Sequence, residues 1–468
     1  MMEPIVEVWP DTLPLDRLHG IFEGNPYAFL LESGGNQDAL GRFSIMGGDP
    51  FLVFSSRGDR CAIRYAGGYN VFIEKNPFSC LGELLAGLST LSRHEIPMVG
   101  GGAVGYLSYD MGRSLERLPR CIPDDTGIPE CIMAFYDRGI VVDHHQHETY
   151  LFSTGQPFRD PPARLAHRDR RFRELQYRLK DTMRRQEAMP AVEIKGSGPC
   201  SNFSRKEYMD MVEKALGYIG RGEIYQVNLS QRFEARLESP PWALYRRLRS
   251  INPAPFASFL DFPEVNVVSS SPERFLKLDG LDLETRPIKG TRPRGKNVAE
   301  DLSLKRELLE SEKDRAELAM IVDQERNDLC RVCRTGTVEV PSLATLEEYA
   351  TVYHLVATVT GKIPQEKGIM EVLKGAFPGG SITGAPKIRS MEIIEELEPV
   401  RRGIYTGSIG YIDFAGKADL NIVIRTFVIK GQRAFFQVGG GIVADSSPEA
   451  EFLETLDKAR ALFAALGL

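Results

Sequence analysis

Lys289 stands in Arg286-Pro287-Ile288-Lys289-Gly290-Thr291-Arg292-Pro293, between an apolar residue and a glycine. A lysine whose pKa is lowered by burial is a nucleophile; the commoner lysine is a solvated surface charge. Glu273, in Ser269-Ser270-Ser271-Pro272-Glu273-Arg274, offers a general acid or a plain loop charge. His354, in Tyr353-His354-Leu355-Val356, is a packed histidine by default. Arg425 interrupts the apolar run Asn421-Ile422-Val423-Ile424, and such an arginine needs an anionic partner or an exposed face. Two carboxylate clusters follow a helical spacing: Asp314 with Glu317, and Glu451 with Glu454 and Lys458, each group on one face. They read either as solvated helix faces or as oxygen ligands from two helices around one divalent cation. Spacing alone leaves both open.

Two glycine-rich loops add backbone N–H groups to these side chains. Phe377-Pro378-Gly379-Gly380-Ser381-Ile382-Thr383-Gly384-Ala385-Pro386-Lys387 runs into a helical pattern through Ile388, Met391 and Ile394. Pro386 suits the first turn of that helix, whose free N–H groups favour an anion. Ala385-Pro386 replaces the Lys-Ser/Thr of a P-loop, so a carboxylate fits better than a nucleotide triphosphate. The second loop, Val438-Gly439-Gly440-Gly441-Ile442, lets a ligand reach bare backbone, or is a turn with unusual dihedrals.

The elements around these residues fall into three stretches by composition. Residues 1–154 read as short strands and turns, among them Phe51–Phe54 and Gly139–Val142. Residues 155–200 form a charged connector, a solvated helix and then a linker ending in Lys195-Gly196-Ser197-Gly198-Pro199. Residues 201–468 alternate helices and strands: a helix over Arg205–Arg221, a strand at Ile224–Leu229 and a long amphipathic pattern over Leu302–Leu329. Three runs, Gly407–Phe414, Leu420–Ile429 and Ala434–Val438, suggest an antiparallel meander. The last helix begins at Ser446 or Ser447, with Pro448 in its first turn and a capping box from Ser446 to Glu449.

Composition bounds what such a site can serve. The chain has 468 residues, 58 Lys+Arg against 64 Asp+Glu, 42% hydrophobic and 26% charged. That is an ordinary globular balance, and the net charge of −6 offers no general attraction to nucleic acid or an anionic membrane. The arginines at 168, 170, 171 and 173 have acidic neighbours and no wider basic field, which argues against a nucleic-acid surface. No apolar run approaches a membrane span, and the N-terminus shows no secretory signal. Seven scattered cysteines make no disulfide framework, and the lone pair Cys330/Cys333 reads as two packed thiols in a reducing cytoplasm.

Taken together, seven segments resemble the chorismate-utilising family that includes anthranilate synthase component I and aminodeoxychorismate synthase component I. They are IYQVNLSQRF (224–233), SSSPERF (269–275), RPIKGTRPRG (286–295), AELAMIVDQERNDL (316–329), GGSITGAPKIRSMEIIEELEP (379–399), YTGSIGY (405–411) and GGGIVADSSPEAEFLETLDKARA (439–461). LLES (30–33) and RFS (42–44) are similar to the family's N-terminal motifs, LLES to the tryptophan regulatory segment of anthranilate synthases. The resemblance implies an α+β fold of two β-rich halves packed as a layered β-sandwich flanked by helices. It implies Mg²⁺ on Glu317 and Glu454 with Glu451 and Asp314 in support. It places Tyr405, Arg425, Gly439, Gly441, Ser381 and Gly384 on the substrate, chorismate, and His354 in the active site. Asp314 stands where anthranilate synthases carry Glu, and Ser381 where many relatives carry Thr.

Position 289 separates the branches of that family. Anthranilate synthases read P-I-A-G-T, aminodeoxychorismate synthases P-I-K-G-T, and the lysine form is present. The resemblance then implies a covalent route: Lys289 as nucleophile, Glu273, 16 residues earlier, as acid, and ammonia as second substrate. Anthranilate synthesis, or an enzyme making both products, is the alternative; a catalytically silent protein on this fold is disfavoured by the intact set. No cysteine has a glycine neighbour, so no glutaminase elbow is fused here, and a separate glutamine amidotransferase subunit is implied.

Overall fold

The computed structural model describes residues 3–9, 13–33, 40–90, 94–119, 122–184, 193–349 and 352–468. Two antiparallel sheets, each of 12 strands among the described residues, are stacked and flanked by helices. The first sheet runs Ile5–Trp9, Glu148–Ser153, Arg138–Asp143, Phe43–Gly47, Ala28–Glu32, Phe256–Phe262, Val265–Ser271, Thr426–Lys430, Arg433–Ile442, Gln226–Arg236 and Cys200–Ser201, with Gly384–Ala385 also on Gln226–Arg236. The second runs Ile288–Pro293, Val352–Lys362, Asp282–Arg286, Arg274–Asp279, Ala418–Asn421, Ser408–Asp413, Gly102–Leu107, Cys131–Tyr136, Leu52–Arg57, Arg60–Tyr65 and Asn70–Glu74, with Glu339–Glu348 on Val352–Lys362. The layered α+β sandwich expected from the sequence is the observed fold. Both sheets, however, draw strands from both ends of the chain, so neither belongs to 1–154 or to 201–468 alone.

Strand alternation explains why these runs look continuously apolar. Phe29, Ile45 and Val141 of the first sheet meet Val53, Val104 and Ile132 of the second in the core between the sheets. Their neighbours Leu30, Met46 and Ile140 point the other way, into helix-covered core. Phe54, Ala103 and Met133 do the same on the outer face of the second sheet. With both faces covered, the usual apolar/polar alternation disappears.

Several boundaries differ from the sequence reading. The helix Pro161–Arg184 is not a solvated connector: Phe172, Leu175 and Leu179 are buried against the first sheet. Each such side chain contributes about 1.5–3 kcal/mol relative to exposure. Buried Arg171 pairs with Asp137 at 3.0 Å and with Asp49, so the arginine run that masked this face is partly structural. Residues 185–192 of that stretch lie outside the described residues. The pattern 302–329 is two helices, Val298–Glu310 and Glu312–Cys330, because Ser311 caps the second by accepting from Asp314 N–H at 3.2 Å. Pro386 caps the helix Lys387–Leu397 and is not its first residue. The Ser446–Glu449 capping box does not form: the helix is Pro448–Leu466 with Ser447 at its cap, and Ser446 turns its hydroxyl to Glu451 at 2.6 Å. Cys330 is exposed and only Cys333 is packed.

One correction bears on the site. Leu420–Ile429 is not a single strand: Ala418–Asn421 lies in the second sheet and Thr426–Lys430 in the first. The chain crosses between layers at 422–425, where Arg425 adopts a left-handed φ of 51°. Beside it, Val265–Ser271 leaves the first sheet and Arg274–Asp279 joins the second, crossing at Pro272-Glu273. The crossings are tied together, Ile422 N–H donating to Glu273 O at 3.0 Å and Ser270 N–H to Arg425 O at 3.2 Å. Glu273 and Arg425 therefore sit where two adjacent strands change sheets.

Candidate active site

The Lys289 strand, Ile288–Pro293, pairs with the His354 strand, Val352–Lys362, through a bulge: Lys289 faces Leu355 and Thr291 faces His354. Gly290, at φ 77°, makes that bulge possible; a Cβ there would lie 2.8 Å from Leu308 Cδ1 and 3.0 Å from Asp314 Cβ. Register thus changes between lysine and threonine, re-aiming the lysine toward the end of the first sheet. Lys289 Nζ lies 3.6 Å from where a Cβ on Gly441 would stand, so a glycine there lets the amine and the Gln226 side chain approach the same stretch of backbone. Gln226 Nε2 would be only 2.1 Å from the same Cβ.

The electrostatics of the two central groups are opposed. Burial, then the charge of Lys458, pushes the Lys289 ammonium below the ordinary lysine range, against the carboxylates Glu317, Glu273 and Glu454. Burial pushes the Glu273 carboxyl up, against a hydrogen bond with Ser381 and the charge of Lys289. Glu273 is 5% exposed. An amine driven toward its free base and a carboxyl driven toward its acid lie within electrostatic reach of each other, the arrangement that separates a nucleophile from a proton donor.

His354 is buried, and its Nδ1 is 2.8 Å from Thr291 Oγ1. Burial and then the charge of Arg425 lower its pKa to about 3, so the ring is neutral over the working range of an enzyme. The Arg425 guanidinium meets Asn252 Oδ1 at 3.5 Å, and no carboxylate lies within ion-pair reach of it among the described residues. Burial lowers its pKa. A guanidinium so enclosed and so little compensated suits an anionic ligand. Tyr405 precedes the strand Ser408–Asp413, and its neighbour Thr406 donates its N–H to Val423 O at 2.7 Å, so its backbone adjoins the crossing at 422–425 while its ring lies 5.9 Å from the Arg402 guanidinium.

The carboxylates come from two helices. Glu451 and Glu454, on Pro448–Leu466, face Gly440: Glu451 Oε2 is 3.1 Å and Glu454 Oε1 3.6 Å from where its Cβ would be. Lys458 bridges Glu454 at 2.7 Å and Gly439 O at 2.9 Å, and it holds the Glu454 carboxyl below its ordinary range. Glu317, on Glu312–Cys330, feels both Lys289 and Glu454; burial raises its pKa. Asp314 is turned away to Arg292 at 3.2 Å. Among the described residues no three Asp, Glu, His or Cys side chains form a closed metal cluster. Glu317, Glu454 and Glu451 supply only carboxylate oxygens beside glycine backbone, a donor set that fits a hard cation once Lys458 releases Glu454.

The structure thus brings Lys289, Glu273, Ser381, Gly441, Glu317, Glu451 and Glu454 into one region and His354 with Arg425 beside it. Gly384, at φ 143°, pairs with Val227, and a Cβ there would strike Gln226 O at 2.2 Å. Asn252, Gln226, Thr291 and Glu325 were not singled out from sequence. Thr291 and Gln226 lie inside quoted motifs, and Asn252 opens Asn252-Pro253, a turn signal. Glu32 of LLES is buried with Arg249 at 2.7 Å and Tyr245 at 2.7 Å, beside a cavity of about 380 Å³ between the sheets that Arg42, Arg274 and Tyr411 also line.

Comparison with known proteins gives one picture. The family model described as chorismate binding enzyme matches residues 27–464. Anthranilate synthase component 1 of Thermus thermophilus is 41% identical over 97% of this chain and 95% of its own. Aminodeoxychorismate synthase component 1 of Klebsiella aerogenes is 40% identical over 92% of each chain. The crystal structure of anthranilate synthase component I from Streptococcus pneumoniae TIGR4 superposes with a TM-score of 0.78, at 31% identity, over 92% of this chain and 93% of that one.

Proposed function

The chain belongs to the chorismate binding enzyme family, as a chorismate-utilising enzyme of the anthranilate/aminodeoxychorismate synthase type, and from that premise we propose that it aminates chorismate at ring carbon 4, giving 4-amino-4-deoxychorismate. The observation that carries this reading is Lys289, its amine pushed toward the free base beside a Glu273 carboxyl pushed toward the acid. Lys289 Nζ bonds to ring carbon 2, the ring electrons shift, and the bond from carbon 4 to its hydroxyl breaks. Glu273 gives that hydroxyl its proton, so water leaves. Ammonia then bonds to carbon 4, the electrons shift back, the bond from carbon 2 to Nζ breaks, and Glu273 recovers a proton. Net, chorismate and ammonia become the amino-acid product and water.

Arg425 and Tyr405 hold substrate carboxylate, and the bare backbone at Gly439 and Gly441 admits it closely. Mg²⁺ on Glu317 and Glu454, with Glu451, would neutralise a substrate carboxylate. His354, kept neutral by burial, lies beside Arg425 as a polar wall and not as a charge. Its relatives carry the name component 1, which supports a separate partner, and a glutamine amidotransferase subunit is the source of ammonia that fits a chain without a glycine-flanked cysteine. No helix among the described residues is long and apolar enough to cross a membrane, and the six described cysteines are free thiols. Both fit a cytoplasmic enzyme feeding 4-aminobenzoate and folate synthesis.

Anthranilate synthesis is the second reading, because relatives of equal similarity carry that name. The two separate in one assay. With chorismate, Mg²⁺ and ammonium, the product is expected to yield 4-aminobenzoate after addition of a lyase, and Lys289→Ala is expected to lose at least about 10²-fold in kcat, near the low end for removing a catalytic group. Fluorescent anthranilate without 4-aminobenzoate would overturn the first reading. A fully active Lys289→Ala would overturn the covalent route.

A further inference from the structure

Glu325 is a buried carboxyl, 2% exposed, with no part in the chemistry above. It lies on Glu312–Cys330, the helix that also carries Glu317. Its Oε1 accepts the N–H of Gly380 at 3.0 Å, and its Oε2 accepts Thr285 Oγ1 at 3.4 Å. Gly380 is pressed against it: a Cβ there would lie 3.0 Å from Glu325 Oε1 and 3.0 Å from Gln324 Cγ. Gly380 opens the short 3₁₀ turn Gly380–Ile382, the turn that carries Ser381. That loop lies against the Glu273 crossing: a Cβ on Gly379 would stand 2.7 Å from Ile422 Cδ1, Ile422 N–H donates to Glu273 O at 3.0 Å, and Ser381 favours the ionised form of the Glu273 carboxyl. The same helix grips the loop a second time, because Asp328 holds Lys387 Nζ at 2.5 Å while that ammonium caps Ala376 O at 2.9 Å and Pro378 O at 2.8 Å.

A carboxyl is an expensive group to enclose unless its contacts repay the loss of water. Leucine or methionine would fill the same volume in a helix without that cost. Of the groups that compensate Glu325, Thr285 stands on the strand Asp282–Arg286, and the shorter contact, the Gly380 amide, belongs to the loop beside the Glu273 crossing. We propose that Glu325 is a positioning residue for the proton donor: by fixing the Gly380 amide it sets the turn that aims the Ser381 hydroxyl at Glu273. Burial first, and then the neighbouring Asp328, raise the Glu325 carboxyl, so it is poised between acid and anion; in either form Oε1 can accept the amide. The assignment rests on Glu273 acting as the acid in chorismate turnover.

The test uses the full chain with chorismate, Mg²⁺ and ammonium, reading chorismate consumption whatever the product. Glu325→Ala is expected to lower kcat about tenfold with the chorismate KM within about twofold, since Arg425 and Tyr405 are untouched. Glu325→Gln, whose amide oxygen still accepts from Gly380, is expected to recover to within about threefold of wild type. Adding Ser381→Ala to Glu325→Ala is expected to cost little beyond Ser381→Ala alone, the non-additivity of two residues on one path. Should Glu325→Ala not fold, Glu325→Asp, which keeps the carboxyl and withdraws it from Gly380, replaces it with the same expectation. A wild-type rate in the truncated variant, a parallel change in kcat and KM, a glutamine variant as poor as alanine, or full additivity with Ser381→Ala would each overturn the proposal. If the wild-type chain consumed no chorismate, the function reading would fall and this proposal with it; consumption by wild type with flat variants would sink this proposal alone.

Discussion

Two side chains of opposite acid–base character lie within electrostatic reach of each other, each with its charged form disfavoured by burial. A lysine whose pKa is lowered stays a free amine down to lower pH; a carboxyl whose pKa is raised keeps its proton up to higher pH. The competent form therefore occupies the window between them, and kcat under saturating Mg²⁺ is expected to follow a bell, its acid limb from Lys289 and its alkaline limb from Glu273. Glu273→Gln is expected to lower kcat by about 10²–10⁴-fold and to flatten the alkaline limb, while the acid limb remains. An unchanged alkaline limb in that variant would assign the proton donor elsewhere. At this scale the sequence was most informative where chemistry is carried by short motifs: Lys289, Glu273, Glu317 and Glu454 all fall in one region, with Arg425 close by. It was silent on Glu325 and Asn252, whose roles arise from contacts across 55 and 173 positions of chain that no local pattern encodes.

The elements show why position mattered more than type. Gly290 interrupts the ladder between Lys289 and Thr291, and its left-handed φ allows one residue to be absorbed without breaking the strand pair. A non-glycine residue held in such a conformation costs of order 1–3 kcal/mol. Gly290→Ala also meets Leu308 and Asp314, so it is expected to lower thermal stability and to reduce kcat more than tenfold, with chorismate KM changed far less. A variant with lowered melting temperature but unaltered kcat would show that the bulge serves stability alone. Element boundaries were the least legible part of the chain. The run 420–429 is uniformly strand-like in composition, yet it is divided between two sheets, because both layers bury the same residue types. Ser311 splits one amphipathic pattern into two helices, and Ser446 is drawn to Glu451 and away from the helix cap it resembles. In each case a tertiary contact outweighed a local preference.

For the whole molecule, the family resemblance of the ordered motifs implied a layered α+β enzyme, whereas the way its layers are woven could not be read from them. Strand pairing partners are chosen by shape and register across hundreds of residues. Ala28–Glu32 pairs with Phe256–Phe262, and Gly102–Leu107 with Ser408–Asp413. Residues 201–468, which carry every proposed catalytic group, would on their own leave both of these C-terminal strands as bare inner edges. That fragment expressed alone is expected to be insoluble or to lack a cooperative melting transition, and co-expression with residues 1–200 to restore chorismate consumption. A soluble, active fragment would show the N-terminal strands to be dispensable.

The same weave sets an order of events on the ribosome. Gly102–Leu107 emerges roughly 300 residues before its partner Ser408–Asp413. At about 5–20 residues per second, that strand waits about 15–60 s with one edge unsatisfied. Neither layer can close until nearly the whole polypeptide has been made, so the nascent chain is exposed to wrong pairing for most of its translation. The demand for protection of unpaired strand edges during synthesis thus follows from the topology of this enzyme.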